Sequence, residues 1–257
     1  MKGPRVVNAT SRRSSDQEKR WIYGVNAIQR RLEVNPTSVS ELRVAAGSSG
    51  NSDEVVRLAK RVGVAVRSVP LEDLARLTQT RSHQGVAALA AAIPYRELDD
   101  SLMSGAGPLL ILDQIQDPQN FGALLRTAAA SGMAAVIVPK HGASPLTPTV
   151  EKVSAGAIND VGVCRVPNLS QTLRQLREQG FWSIGLVAHG GQNLFETDLP
   201  DRVVLVLGGE TGLRPLVERG CDFRLSIPVE PRVESLNASV AGAIAMYELV
   251  RRRALTR

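Results

Sequence analysis

The sequence predicts an α/β protein built from two alternating units, a small one followed by a larger one with a parallel sheet. Short strands that are apolar throughout alternate with amphipathic helices, a pattern typical of a parallel sheet covered on both faces. A polar stretch that contains glycine interrupts the alternation after Pro94. The 257 residues are 43% hydrophobic, which is enough for a substantial core.

The first unit is predicted over residues 21–94. In chain order, WIYGVNAIQRRLE predicts a turn and a helix, ELRVAA a strand, SDEVVRLAKRVG a helix that stops at glycine, VAVRSV a strand, and PLEDLARLT a helix with proline at its start. The stretch GVAALAAAI is a strand candidate, although its alanines would also suit a helix. Residues 95–107 then have the composition of a linker.

The second unit is predicted over residues 108–257, where the alternation is stronger. Strands are predicted at LLILD, AAVIVP, WSIGLVA and RVVLVLGG, and helices at FGALLRTAAASG and SQTLRQLREQG. The last helix is expected to begin near Ser235, after a segment made irregular by two prolines. Its apolar residues recur every three or four positions and so form one face: Leu236, Val240, Ile244, Tyr247 and Val250.

The net charge of +6 is concentrated at the two ends of the chain. Residues 1–20 hold six basic and two acidic residues, and residues 251–257 hold four arginines and no acidic residue. We expect residues 1–20 to be a disordered basic leader. Basic ends either hold the phosphate backbone of a nucleic acid without reading its sequence or simply keep the protein soluble, and charge alone does not separate these interpretations.

Other features exclude several classes of protein. The sequence contains no apolar run near the roughly 18 residues of a membrane span and no secretory signal. Cys164 and Cys221 lack the spacing of a disulfide or a metal site. We therefore expect a soluble cytoplasmic protein that binds neither membrane nor metal.

Three loops that follow strands carry the candidate functional residues. In DQIQDPQNFGALLRTA, Asn120 is a possible helix cap and Arg126 either snorkels from a helix edge or serves as a fixed cation. In LVLGGETGLRP, a buried strand runs into Gly208 and Glu210, a position at which open α/β sheets bind ligands. In the segment SIPVEPRVESLNAS, Ser235 or Asn237 is a helix cap or faces a ligand, and cap frequency alone favours the cap.

Taken together and in this order, NFGALLRTA, LGGETG and IPVEPRVESLNASVAGAI resemble the three motifs of the SpoU (TrmH-like) RNA ribose 2′-O-methyltransferases. The segments IYGVNAIQ and SHQGVAAL resemble that family's substrate-binding domain, and VSAGA and VCRVPNL resemble a subgroup that methylates a guanosine of 23S rRNA. Val229 and Pro231 replace the methionine and glycine usual in the third motif, and the Glu210 loop is a residue shorter than in the subgroup.

The resemblance implies a fold and a cofactor. The fold is an α/β domain with a deep trefoil knot, assembled as a homodimer with active sites at the interface. The cofactor is S-adenosylmethionine, and its binding residues are Leu207, Gly208, Ile227, Ser235 and Leu236.

The resemblance also implies four catalytic residues, namely Asn120, Arg126, Glu210 and Asn237. The guanidinium of Arg126, with a pKa above about 12, is a poor base, so we expect it to hold RNA phosphate and stabilise the developing alkoxide. Asn120 and Glu210 would orient Arg126, and Asn237 would position the ribose.

Several alternatives stay open at this point. The RNA substrate could be a tRNA, or an rRNA adenosine methylated to give antibiotic resistance. A non-catalytic RNA-binding protein of ribosome assembly would keep the fold. A nucleotide-dependent dehydrogenase is disfavoured because no GxGxxG spacing follows a strand.

Overall fold

A computed structural model of the chain describes residues 18–47, 50–99 and 107–255. Most of the predicted leader over residues 1–20 lies outside the described residues, and so does most of the predicted linker over residues 95–107. Within that linker, the amide of Arg96 donates a hydrogen bond to the carbonyl of Val163 at 2.8 Å. Tyr95 packs against the larger core.

The first unit is a four-stranded mixed sheet with helices on both faces. The sheet order is β1-β4-β2-β3, in which β4 is antiparallel to β1 and β2, and β2 is parallel to β3. Its strands and helices are β1 (Lys19–Tyr23), α1 (Val25–Val34), β2 (Val39–Ala45), α2 (Asn51–Arg61), β3 (Ala65–Val69), α3 (Leu71–Thr78) and β4 (Val86–Ala91).

The turn predicted at the start of this unit is wrong, because Trp21 and its neighbours form strand β1. Ile22 is fully buried in the core that the sheet shares with helices α1 and α2, and β1 pairs with β4 along its whole length. The strand alternative for GVAALAAAI is confirmed, since β4 is the central partner of two antiparallel ladders and buries Ala87 on one face and Ala88 and Ala90 on the other.

The second unit contains a seven-stranded parallel sheet in the order β7-β6-β5-β10-β8-β11-β9. This confirms the predicted α/β class with a parallel sheet in the C-terminal part. Its strands and helices are β5 (Leu109–Asp113), α4 (Pro118–Ala130), β6 (Ala135–Pro139), α5 (Pro148–Val153), β7 (Gly162–Val166), α6 (Leu169–Glu178), β8 (Trp182–Leu186), β9 (Gln192–Asn193), β10 (Val203–Gly208), α7 (Pro215–Glu218), β11 (Phe223–Ser226) and α8 (Ala238–Leu255).

Two apolar layers cover this parallel sheet. Successive residues of a strand point to opposite faces, so Leu110 and Leu112 join α4 and α8 in one layer, whereas Leu109 and Ile111 join α6 in the other. All four side chains are fully buried. The apolar strands therefore follow from burial on both faces, as the sequence predicts.

The last helix differs from its prediction in two ways. It begins at Ala238, and no residue of its predicted apolar face is buried: Val240 and Tyr247 are 47% and 51% accessible, whereas Ile244 and Val250 are half-buried. The opposite face packs inward, where Gly242 lies so close to Leu207 of β10 that an added Cβ would come within 2.7 Å. The apolar periodicity therefore indicates a surface that is available for contact with another molecule, not a face that packs into the core.

The arginines that end α8 are held by the protein itself. Glu248 is buried and accepts hydrogen bonds from Arg251 and Arg252, and Arg252 also donates to the carbonyls of Leu194 and Thr197. Arg253 donates to the carbonyl of Ser131. These three arginines therefore fix the helix, which does not favour the interpretation of a free RNA-binding tail.

None of the helices within the described ranges is both long and apolar enough to cross a membrane.

Candidate active site

A pocket of about 460 Å³ opens where strands β8, β10 and β11 end. Its walls are the segments that follow these strands, together with the start of α8 and one residue of α4. The lining residues are Asn120, Leu186, Val187, Ala188, Leu207, Gly208, Gly209, Glu210, Thr211, Gly212, Ile227, Val229, Ser235, Leu236, Asn237, Ala238 and Ala241. The second and third predicted loops therefore meet here, as expected for ligand sites at the carboxyl edge of a parallel sheet.

The glycines after β10 form a tight turn at the edge of the pocket. A Cβ on Gly208 would collide with the backbone of Gly212, and one on Gly209 would collide with the carbonyl of Gln114. The amide of Gly212 donates to the carbonyl of Gly209 at 3.0 Å, and Gly212 has a φ of +78°. At its glycines, the turn thus presents main chain rather than side chains to the pocket.

Asp113 anchors this turn, and the sequence reasoning did not single it out. It ends the buried strand β5, and its carboxylate accepts hydrogen bonds from the amide and the Nε of Arg214, at 2.9 and 2.7 Å. Asp113 is fully buried, so its charge needs these partners. A lone acidic residue closing an apolar strand was the signal that could have revealed it.

Asn237 links the start of α8 to α4. Its Oδ1 accepts from the amides of Ser239 and Val240, so Asn237 caps the helix, and its Nδ2 donates to Oδ1 of Asn120 at 3.0 Å. The residue both caps and lines the pocket, whereas the interpretation of Ser235 as the cap is wrong. Ser235 lines the pocket instead.

Asn120 is likewise not a helix cap. Asp117 caps α4 by accepting from the amides of Gln119 and Asn120, and Pro118 occupies the first turn. Because the cap is already filled, the Asn120 side chain is available to bond Asn237 at the pocket rim.

Arg126 stands apart from the other predicted catalytic residues. It is exposed on α4 and does not line the pocket, and its side chain makes no hydrogen bond or ion pair with any described residue. It lies six positions after Asn120, which is about one and two-thirds helical turns and roughly 9 Å along the axis. The contacts expected from Asn120 and Glu210 to Arg126 are therefore not formed in the isolated chain, although both residues line the pocket.

The composition of the lining favours a particular charge on the ligand. Among the lining residues there is one carboxylate, Glu210, and no lysine, arginine or histidine. This favours a positively charged ligand over one that carries phosphates, which disfavours the dinucleotide alternative. Apolar side chains such as Leu207, Ile227 and Leu236 can hold a flat ring, while the glycine turn offers backbone hydrogen bonds. This combination fits S-adenosylmethionine, whose sulfonium and ammonium groups outweigh its single carboxylate.

Other reactive groups lie outside this site. Burial raises the pKa of the Cys164 thiol to about 11 and that of Cys221 to about 12, so neither is a ready nucleophile. Burial lowers the pKa of His83, which belongs to the first unit. Across the described ranges no three His, Cys, Asp or Glu side chains are grouped so as to hold a metal ion.

Comparison with known proteins matches both units. The model of the SpoU rRNA Methylase family matches residues 107–247, and the model described as RNA 2′-O ribose methyltransferase substrate binding matches residues 21–96. A 23S rRNA (guanosine-2′-O-)-methyltransferase RlmB of Xanthomonas axonopodis pv. citri is 41% identical over 244 residues, which cover 92% of this chain and 98% of the relative. The putative TrmH family tRNA/rRNA methyltransferase YacO of Bacillus subtilis is 37% identical over 92% of this chain and 97% of its own.

Solved structures agree. The SpoU methyltransferase AviRb from Streptomyces viridochromogenes, in complex with the cofactor AdoMet, superimposes with a TM-score of 0.76 at 25% identity, covering 92% of this chain and 91% of its own. A structure described as an RNA 2′-O ribose methyltransferase gives a TM-score of 0.78 at 25% identity, with coverage of 93% and 90%.

Proposed function

The chain belongs to the SpoU rRNA Methylase family and is an RNA ribose 2′-O-methyltransferase, and we propose that it methylates a guanosine of 23S rRNA. The choice of substrate rests on the length over which this chain aligns with its relatives. Relatives named for this reaction align over more than nine-tenths of the chain, and the substrate-binding unit is included.

The cofactor is S-adenosylmethionine, which supplies an activated methyl group on a sulfonium sulfur when it is bound. We assign its binding to Leu207, Gly208, Ile227, Ser235 and Leu236, which all line the pocket. Leu207, Ile227 and Leu236 offer apolar contact, and the turn at Gly208 offers main-chain hydrogen bonds. Glu210 contributes the negative charge that suits a cationic ligand.

The remaining chemistry concerns the ribose hydroxyl, which must lose its proton as it attacks. Asn237 lies at the pocket rim in a fixed orientation, because Asn120 and two backbone amides hold its side-chain amide, so it is suited to position the ribose. Arg126 supplies a cation for the RNA phosphate and the developing alkoxide, and its lack of partners among the described residues leaves its guanidinium available for RNA. Glu210 and Asn120 would orient it only in the assembled complex.

We also propose that the enzyme is a homodimer formed through α8. The exposed Val240 and Tyr247 make an apolar face on a helix that packs beside α4, so a partner covering this face would approach Arg126. Formation of the dimer would then complete a site that a single chain leaves open at Arg126.

The division of the chain follows from these assignments. Residues 21–94 would bind RNA and residues 108–257 would form the methyltransferase domain with the trefoil knot of the family, with a leader over residues 1–20 and a linker over residues 95–107. An enzyme of ribosomal RNA with this role would work in the cytoplasm.

The test is methyl transfer by the purified protein from labelled S-adenosylmethionine to separate pools of 23S rRNA, 16S rRNA and tRNA. The label is expected on one guanosine ribose of 23S rRNA. Labelling of tRNA alone would replace this proposal with a tRNA substrate, a reading that the YacO relative keeps in view.

A further inference from the structure

The two units meet along a seam formed by residues 20–31 of the first unit and residues 146–160 of the second. At its centre Arg31 of α1 donates two hydrogen bonds to the carboxylate of Glu151 in α5, at 2.9 and 3.0 Å. Both side chains are almost completely buried, at 3% and 5% exposure. Arg31 also donates to the carbonyl of Ala91 at 3.2 Å.

Contacts around this ion pair add directional constraints. Nη1 of Arg20 donates to the carbonyl of Leu146 at 2.6 Å, and the hydroxyls of Tyr23 and Thr149 lie 2.9 Å apart. Arg30 binds the carboxylate of Asp160 at the edge of the seam. Directional bonds at several points allow one docking arrangement, whereas apolar contact alone would allow sliding.

The seam lies one helix away from the pocket. Helix α5, which carries Glu151, packs against α4 where Gly122 is so close to Val153 that a Cβ would come within 2.6 Å. Two residues before Gly122 is Asn120, which bonds Asn237 at the pocket rim. The position of the first unit is therefore defined relative to the helix that borders the pocket.

A buried ion pair adds little stability over well-packed apolar residues, so its presence at the seam calls for another explanation. We infer that the Arg31–Glu151 pair is a positioning device, which sets the register of the first unit on the second and hence places bound RNA at the pocket. This inference rests on the proposed role of the first unit in binding RNA.

The decisive variant replaces both partners with apolar residues of similar length, Arg31→Met with Glu151→Leu. Its thermal midpoint and affinity for S-adenosylmethionine are expected to stay near wild type, because no lone buried charge remains. Its kcat/KM on 23S rRNA is expected to fall about 10- to 100-fold, since a displaced reactant loses alignment. Arg31→Lys, which keeps the charge but not the planar fork, is expected to retain part of the activity that the double variant loses.

Docking itself is measured by the distance between spin labels at Glu72→Cys and Glu178→Cys, with Cys221→Ser, in chains diluted with unlabelled protein. A narrow distribution in the wild type should broaden in the double variant. The matched control is Arg224→Met with Glu218→Leu, an exposed pair of the second unit. It should change neither kcat/KM nor the distances.

Wild-type kcat/KM in the double variant would overturn the inference, and so would a loss of kcat/KM with an unchanged distance distribution. If the double variant does not fold, Arg31→Lys, which keeps a positive charge opposite Glu151, provides the same two measurements, with smaller shifts expected in the same direction. If the wild-type protein methylates no RNA, the proposed function fails. The spin-label distances then still decide whether the pair sets the docking.

Discussion

At the scale of single residues, Arg126 is exposed and lies outside the pocket, so it is the proposed catalytic group that is easiest to test without disturbing the cofactor. Arg126→Ala is expected to slow methyl transfer about a hundredfold or more, because loss of a preorganised cation costs about 3 kcal/mol in the transition state. Affinity for S-adenosylmethionine, measured by calorimetry, should be unchanged since Arg126 does not line the pocket. Near-normal turnover would refute the role of Arg126 and leave Glu210 as the leading candidate.

Arg126→Lys separates charge from geometry, because lysine keeps the charge without the planar fork. Partial activity would indicate that charge suffices, and activity as low as that of alanine would indicate a grip on phosphate and hydroxyl together. Arg174→Ala is the control, since Arg174 is an exposed arginine on a helix of the opposite layer. It should retain full activity.

Asn237 combines two tasks that substitutions can separate. Asn237→Asp keeps an oxygen to cap α8 but has no side-chain N–H to donate to Asn120, so stability should hold while kcat falls. Asn237→Ala should lose both, with about 1 kcal/mol of folding stability lost with the cap. Asn168→Ala removes the cap of α6 and should cost similar stability without a loss of kcat. Full activity in Asn237→Asp would contradict the positioning role.

The sequence predicted which residues belong to the site better than it predicted which of them contact one another. The loops that follow β10 and β11 pointed correctly to one pocket, because strand ends of a parallel sheet converge. The cap at Asn120 was assigned wrongly and the choice between Ser235 and Asn237 could not be made, because Asp117, Asn120, Ser235 and Asn237 are all good capping residues and frequency cannot choose among them. The partner of Arg126 could not be predicted, because no described residue of the chain supplies one.

At the scale of elements, the glycine turn after β10 is the part of the pocket least able to accept a side chain. Gly208→Ala is expected to abolish measurable binding of S-adenosylmethionine, because its Cβ would collide with the backbone of Gly212, which cannot move aside as a flexible side chain would. Gly132→Ala, at a φ of +70° with open space around it, should cost about 1 kcal/mol of stability and leave binding intact. Equal binding by both variants would show that the turn does not shape the site.

The clamp at the end of α8 predicts a dependence of stability on pH. Hydrogen bonds from Arg251 and Arg252 hold the pKa of Glu248 below its usual range, despite the opposing effect of burial. The folded pKa is thus below the unfolded value of about 4.3, so the stabilisation is full above that value and is lost as the pH falls through the folded pKa.

Glu248→Gln should therefore lower the free energy of unfolding at pH 7, and its difference from wild type should shrink towards pH 3. Urea denaturation at both pH values measures this. Glu178→Gln, at an exposed position, should show no such difference. A Glu248→Gln effect of the same size at both pH values would mean that the charge of Glu248 contributes nothing.

The elements that the sequence predicted correctly are the strands that are buried on both faces along nearly their whole length. Strands β5, β6 and β10 are apolar because helices cover both faces, and each was predicted within about two residues. Strand β1 was taken for a turn, since its polar start and following glycine resemble one, and helix α5 was missed because it is short. Thr147 followed by Pro148 was an available signal for α5, as Thr147 accepts a hydrogen bond from Val150 at its first turn.

At the scale of the whole molecule, the exposed apolar face of α8 predicts that two chains associate through this helix. Tyr247→Glu places a charge in the centre of that face and is expected to give a monomer in analytical ultracentrifugation, with methyl transfer lost. Leu216→Glu, at an apolar position that is 69% exposed elsewhere, should remain a dimer. A Tyr247→Glu protein that stays dimeric would place the interface elsewhere.

The central claim is that this chain methylates a guanosine ribose of 23S rRNA, and one measurement tests it directly. Ribose 2′-O-methylation is mapped across all rRNA and tRNA of the source organism in three strains: one with the gene deleted, one complemented with the wild type, and one complemented with Arg126→Ala. We predict that a single guanosine of 23S rRNA loses its methyl group on deletion, regains it with the wild type and stays unmethylated with Arg126→Ala. A methylation map that is identical in all three strains, or a loss confined to tRNA, would contradict the account.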